Sequence, residues 1–186
     1  MADIGFFQIN GVVTKPYSEI ALDWFEHSYA LKPKFRISCS NDLLSFEAEV
    51  PLSNYTLSFE KLSNAQFVEG LWEKDVAELF VSNGDCYQEF NFSPSGAWWT
   101  WMFTDYRERS DDFKAPSTSP TISSVISETN WKLHAEIPSE VLQIELKNIT
   151  HAQVCFILNS KYFCTASNKD IEPDFHRFKD FNSVIR

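Results

Sequence analysis

Apolar and polar residues alternate with a period of two along most of this chain, a pattern that predicts strands rather than helices. From Leu43 to Val50 (LLSFEAEV), Leu44, Phe46, Ala48 and Val50 fall on one face and Ser45, Glu47 and Glu49 on the other, as in a half-buried antiparallel strand. Phe35 to Cys39 precedes it across the turn formers Ser40, Asn41 and Asp42, so the two predict a hairpin. In Asn130 to Ile137, Trp131, Leu133, Ala135 and Ile137 alternate with Lys132, His134 and Glu136, and Thr121 to Ile126 is the expected partner. Pro138 stops that strand, and Ser139 is placed to cap a short helical turn through Leu142. Ala152 to Leu158 and Tyr162 to Thr165 complete the strands. Only Pro16 to Ala30 suggests a turn or two of helix, because Ile20, Trp24 and Phe25 loosely share one face.

The centre of the chain predicts a three-stranded meander. Val76 to Val81 is closed by Ser82, Asn83, Gly84 and Asp85, Cys86 to Phe92 follows, and Ser93-Pro94-Ser95-Gly96 leads into Ala97 to Phe103. Ser110 to Pro120 then shifts to Asp, Ser, Thr, Pro and Lys, the composition of an exposed loop. About ten short strands with turn signals between them indicate an all-β, two-sheet antiparallel sandwich of jelly-roll or immunoglobulin-like type with little helix. With no repeat and no long linker, residues 1–186 are expected to form one domain.

Composition narrows the partners. A chain of 186 residues is long enough to bury a core without metals or disulfides. Its net charge of −10 disfavours nucleic acid and anionic membrane surfaces, both of which call for basic patches. Cys39, Cys86, Cys155 and Cys164 contain no CxxC pair, and three of them sit in apolar or alternating runs as buried thiols do. Residues 1–13 have neither a basic start nor a sustained apolar stretch, so a leader is not expected and a reducing cytoplasmic setting is. Aromatic residues reach 16% with six Trp; Phe is chiefly a core filler, but an indole N–H needs a partner when buried.

Alternation divides the meander into two faces. Asp75, Ala77, Leu79 and Val81 suit the core, which turns Glu78 the other way together with Phe80. Phe90 and Phe92 suit the core, which turns Tyr87, Glu89 and Asn91 outward. In the third strand, Trp98, Thr100 and Met102 share one face and Trp99, Trp101 and Phe103 the other. Both sets are aromatic, so periodicity does not choose between them. The outward face gathers two carboxylates, an amide and at least one indole, with Tyr106 and Arg107 extending its rim. An aromatic ring stacks on the apolar face of a sugar while carboxylates and amides bond its hydroxyls, so this set suits a carbohydrate-like ligand.

The run LWEKDVAELFV…YQEFNFSPSGAWWTWMFTDYRER resembles bacterial DOMON-like domains, which are similar to family 9 carbohydrate-binding modules. Tyr87, Glu89 to Gly96, Trp98, Phe103, Tyr106 and Arg107 carry the likeness, and Pro173 to His176 (PDFH) resembles the ending of that family. The likeness covers the second half of the chain well and the first 60 residues loosely. It implies a β-sandwich that binds sugars or, in some DOMON relatives, haem, with Glu78, Glu89, Asn91, Trp98 and Arg107 as ligand-binding residues. Trp99 and Met102 depart from the pattern.

Each residue also has a plainer role. Glu78 and Glu89 suit a glycosidase acid/base pair, but one of them paired with Arg107 would simply fix the loop. Met102 with a His would ligate haem, yet no CxxCH exists and no cofactor is expected. His176 stands two residues after Asp174, a spacing open to a metal, although a hydrogen-bonded structural His fits as well. A protein-binding aromatic face is the remaining alternative. The balance favours non-catalytic binding of a small ligand, with Glu78, Tyr87, Glu89, Asn91, Trp98, Tyr106 and Arg107 as the expected site.

Overall fold

The computed structural model describes residues 4–5, 17–40, 42–166 and 170–185. Asn41 of the first hairpin turn and most of the N-terminal segment considered as a leader lie outside them. Within them the strands are β1 (Ile4–Gly5), β2 (Ser18–Glu19), β3 (Lys34–Ser40), β4 (Leu43–Pro51), β5 (Val76–Ser82), β6 (Tyr87–Phe92) and β7 (Trp98–Asp105), then β8 (Glu108–Arg109), β9 (Thr121–Ile126), β10 (Asn130–Pro138), β11 (His151–Leu158), β12 (Lys161–Cys164) and β13 (Asn182–Ile185). One sheet has the order β2-β3-β4-β10-β9. The other has the order β1-β13-β11-β5-β6-β7-β8, with β12 also pairing β11. Every pairing is antiparallel except β1 with β13. The fold is therefore the expected all-β sandwich.

The alternating positions meet between the sheets. Leu44, Phe46, Ala48 and Val50 of β4 pack with Leu133, Ala135 and Ile137 of β10 against Ala77, Leu79, Val81, Phe90, Phe92, Val154 and Phe156. Each of the large side chains contributes roughly 1.5–3 kcal/mol by leaving water. Gln88 also points into this core, and its amide is fully used: it donates to Thr100 Oγ1 and the Val141 carbonyl and accepts from the Gln143 N–H. A buried amide without those partners would cost more than its bonds return.

Of the two short helical expectations, that in residues 17–30 is not met, whereas Ser139 to Leu142 forms the short turn expected there. In residues 17–30 the Asp23 carboxylate accepts the N–H groups of Phe25 and His27, and the Trp24 N–H bonds the Tyr162 carbonyl. Apart from a single turn that the Glu26 N–H closes on the Asp23 carbonyl, these backbone donors are taken by a side chain and by β12 instead of by carbonyls one helical turn back. After β10, Val141 and Leu142 bond back to Pro138 and Ser139 in two successive turns that go no further.

The Ser93–Gly96 turn is locked between the sheets. Ser124 Oγ donates to the Pro94 carbonyl, and Asn64, against which Gly96 packs, donates to the Ile122 carbonyl. Gly96 has φ 83°, and a Cβ there would stand 2.0 Å from Asn64 Oδ1. Gly96→Ala is therefore expected to lower stability by about 1–3 kcal/mol, from both φ strain and the clash. Denaturant unfolding checks it, and an unchanged midpoint would contradict a locked turn.

The outer face of the larger sheet is not open. Residues 170–181 fold back across it, so that Phe175, Phe178 and Phe181 join Val76, Phe80, Tyr87, Trp99 and Phe103 in a second apolar cluster. Trp24 closes one side of this cluster and donates its indole N–H to the Asp170 carbonyl. The sheet thus has apolar layers on both faces, and the cavity described next lies in the outer one.

Candidate ligand site

Register lines the outer-face residues up in rows. Cys164, Cys155, Glu78, Asn91 and Trp99 are successive cross-strand partners from β12 to β7. Gln153, Phe80, Glu89 and Trp101 form the next row. The two glutamates are therefore diagonal neighbours on adjacent strands, within reach of each other.

Between this surface and the folded-back segment lies a cavity of about 320 Å³. Glu78, Phe80, Glu89, Trp99, Phe103, Ile157 and Tyr162 form its floor and walls, Trp72 stands at one side, and Arg107, Arg109, Pro173, Phe175 and His176 complete it. Trp72 is half-buried in a single 3-10 turn, Leu71–Glu73, with its ring 5.0 Å from Trp99 at 64°. The Arg109 guanidinium lies over Trp99 and Trp101, 5.0 and 5.2 Å from their ring centroids, and pairs with Glu69 at 2.6 Å.

Of the seven expected site residues, Glu78, Glu89 and Arg107 line the cavity. Tyr87 and Asn91 stand behind it. The Tyr87 ring stacks on Phe103 at 4.7 Å, and its oxygen bonds His176 Nδ1 and the Arg107 N–H. Asn91 donates to Glu89 Oε1 at 2.8 Å and so orients that carboxyl. Tyr106 lies on the outer rim with residues 170–174. Trp98 faces the opposite way: it lies across from Phe92 in the sandwich core, packs edge-on to Phe67 and donates its N–H to the Ala65 carbonyl. The sequence-based choice of Trp98 is thus replaced by Trp99, since alternation sends neighbouring indoles to opposite faces. Met102 shares the inward face with Trp98, away from the cavity.

The contacts of Arg107 also differ from expectation. It pairs with Asp174 at 2.9 Å, not with either glutamate. Asp174 further accepts the Tyr106 hydroxyl at 2.7 Å and the His176 N–H at 3.2 Å. Burial acts to raise the Asp174 carboxyl, but these three donors outweigh it and hold it below the usual range. The PDFH segment is thus a clasp that ties residues 170–181 to the β7–β8 turn. Among the described residues no group of three His, Cys, Asp or Glu side chains is arranged to hold a metal.

Among the described residues neither glutamate has an Arg or Lys salt-bridge partner of its own. Burial, then the neighbouring Glu89, then Cys164 raise Glu78 well above the ordinary carboxyl value. Burial pushes Glu89 up to about 7, against the opposing Asn91 hydrogen bond and the charges of Arg109 and Arg107. His176 Nε2 lies 3.8 Å from Glu89 Oε2. Burial, followed by the Arg107 charge, lowers the imidazole to about 4, so it is neutral at pH 7 and this contact is not an ion pair. Glu78 Oε2 is buried with no hydrogen-bond partner among the described residues. A buried carboxyl oxygen facing a cavity in this way is a ready acceptor or donor for a polar ligand.

Sequence reasoning passed over Trp72, Arg109 and His176 as ligand-facing groups. Trp72 and Arg109 lie within the run that carries the family likeness and His176 within PDFH, but nothing local to them marks their side chains as facing a ligand.

No protein-family model and no curated protein matches the chain. Solved structures do share its fold. A candidate carbohydrate-binding protein from Bacteroides uniformis superposes with a TM-score of 0.72 at 13% identity, covering 98% of this chain and 96% of its own. A family 9 carbohydrate-binding module from Caldicellulosiruptor kristjanssonii, solved with glucose, gives 0.58 at 9% identity over 96% and 93%. The same kind of module with cellotriose gives 0.56 at 10% over 97% and 91%. The chain has the fold of these modules.

Proposed function

We propose that this chain is a non-catalytic binding module that takes a carbohydrate-like ligand in the cavity walled by Trp72 and Trp99. The observation that carries this reading is the unpartnered, buried Glu78 Oε2 at the floor of an aromatic-walled cavity of about 320 Å³. Glu78 and Glu89 supply hydrogen bonds to vicinal hydroxyls, Arg107 at the mouth supplies donors, and Trp72 offers an apolar surface to the C–H face of a ring. Sugars bound by modules of the same fold support the same ligand class. Arg107 is held by Asp174, so the mouth keeps its shape before a ligand arrives, which lowers the ordering cost of binding.

Trp72 and Trp99 are natural reporters. A saturable change in Trp fluorescence on titration with mono- and oligosaccharides is expected, and no response across a broad sugar panel would sink the proposal. A buried carboxyl pair with raised affinity for protons is also what a glycosidase uses. Turnover of aryl glycosides that disappears in Glu78→Gln would replace the binding reading with a hydrolytic one.

A further inference from the structure

The thiols of Cys155 and Cys164 face each other across the β11–β12 hairpin. Its loop is Asn159-Ser160, with φ 50° and 56°, the left-handed pair of a two-residue hairpin turn. That loop sets Leu158 opposite Lys161, and three steps back along the ladder Cys155 falls opposite Cys164. The Thr165 N–H bonds the carbonyl of Val154, its cross-strand neighbour. Hydrogen-bonded and non-hydrogen-bonded pairs alternate, so the cysteines occupy a non-hydrogen-bonded pair, where the Cα atoms approach to about 4.5 Å. That lies within the range a disulfide spans, roughly 4.4–6.8 Å. The sulfurs are already 3.3 Å apart.

The pair also borders the ligand cavity. Cys155 shares its face with Ile157 and Cys164 with Tyr162, and both of those neighbours line the cavity, as does Glu78 opposite Cys155. A small oxidant in the cavity therefore comes within one residue pair of the sulfurs. Cys164 Sγ accepts hydrogen bonds from the Cys155 S–H and the Ala166 N–H, both at 3.3 Å, which marks it as the attacking sulfur.

We propose that Cys155 and Cys164 form a peroxide-responsive thiol couple that closes to a cross-strand disulfide beside the ligand cavity. Cys164 sulfur attacks one oxygen of hydrogen peroxide and breaks the O–O bond. It becomes a sulfenic acid, and the second oxygen leaves as water with the Cys164 thiol proton. Cys155 sulfur then attacks Cys164 sulfur and expels its hydroxyl, which leaves as a second water with the Cys155 proton. The two thiols lose two electrons, and the peroxide is reduced to two waters. Burial keeps the Cys155 thiol high, so it remains the protonated donor until that second step.

The test treats the folded full-length chain with hydrogen peroxide, quenches it, unfolds it and alkylates the remaining thiols. Intact mass before alkylation is expected to fall by about 2 Da, the two hydrogens lost in forming one disulfide. Two of the four cysteines lose alkylation, and because trypsin cuts after Lys161 the two cysteines appear as a linked pair of peptides. The Cys39→Ser/Cys86→Ser double variant keeps the response, and Cys164→Ser abolishes it. Should Cys164→Ser fail to fold, the double variant still decides the matter, since its remaining thiols are the proposed pair. Continued alkylation of all four cysteines, a link through Cys39 or Cys86, or sulfinic acid at Cys164 without a link would each overturn the proposal. None of these readouts uses a sugar, so they stand apart from the ligand assignment.

Discussion

Trp72→Ala is expected to weaken sugar binding roughly thirtyfold while leaving the sandwich folded. The ring belongs to a 3-10 turn whose Leu71 carries the buried contact, and Trp72 itself is only half-buried against Trp99. Covering about 80 Å² of indole with the apolar face of a sugar is worth about 2 kcal/mol at about 25 cal/mol/Å². That energy corresponds to roughly a thirtyfold change in Kd. Trp99 is less suitable for the test, because it is buried in the outer cluster and already carries the Arg109 guanidinium over its ring. Its removal would confuse lost packing with lost binding. Isothermal titration calorimetry on wild type, Trp72→Phe and Trp72→Ala should show stepwise loss, with near-ultraviolet circular dichroism confirming the fold. Equal affinities in all three would move the ligand out of this cavity.

Glu89→Gln should change how stability depends on pH. Glu89 is pushed from the ordinary 4.5 up to about 7, chiefly by burial. Between these values the folded chain holds a proton that the unfolded chain has released, so wild-type stability falls as pH rises through the window. The stabilisation is complete below pH 4.5 and gone above about 7. The displacement corresponds to a loss on the order of 3 kcal/mol. Glutamine has nearly the same shape, can still accept the Asn91 hydrogen bond and does not titrate. The variant should therefore gain on wild type by that order of magnitude between pH 4.5 and 7.5. His176, which burial lowers to about 4, works in the opposite direction over part of the window. It is present in both proteins, so its own contribution largely cancels, and because the substitution also relieves Glu78 of the Glu89 charge that raises it, the difference reports the carboxyl pair. Urea unfolding at a series of pH values measures this, and parallel curves would show that the carboxyl is not held in its acid form.

The same burial makes the two carboxyls useful to a ligand. A carboxyl kept protonated near neutral pH both donates and accepts hydrogen bonds, which suits the mixed donor and acceptor character of a hydroxyl. Arg109 is held by Glu69 and Arg107 by Asp174, so neither cation collapses onto the glutamates and closes the cavity. The clasp made by Asp174 thus matters to the site although its carboxylate is spent on Tyr106, Arg107 and His176.

Alternation by itself determined the strands of the meander and the shared outer face of Glu78, Phe80, Tyr87, Glu89 and Asn91, because successive side chains on a strand leave opposite faces. The same rule was silent on the third strand, where both faces are aromatic, and the likeness to a known family pointed to Trp98. Only the tertiary structure decided for Trp99, by placing Trp98 opposite Phe92 in the core. The rest of the site is assembled over long sequence separations. Residues 170–181 cover a sheet face made from residues 76–103, and Tyr87 meets His176 across 89 positions. No local periodicity encodes such a contact. The cover turned the outward face into a cavity, and the burial it imposed raised both glutamates. Cys155 and Cys164 are separated by nine positions, and the left-handed turn at Asn159-Ser160 is what makes them partners. Local pattern settles which face a residue takes, whereas burial and partners depend on which distant segment packs onto that face.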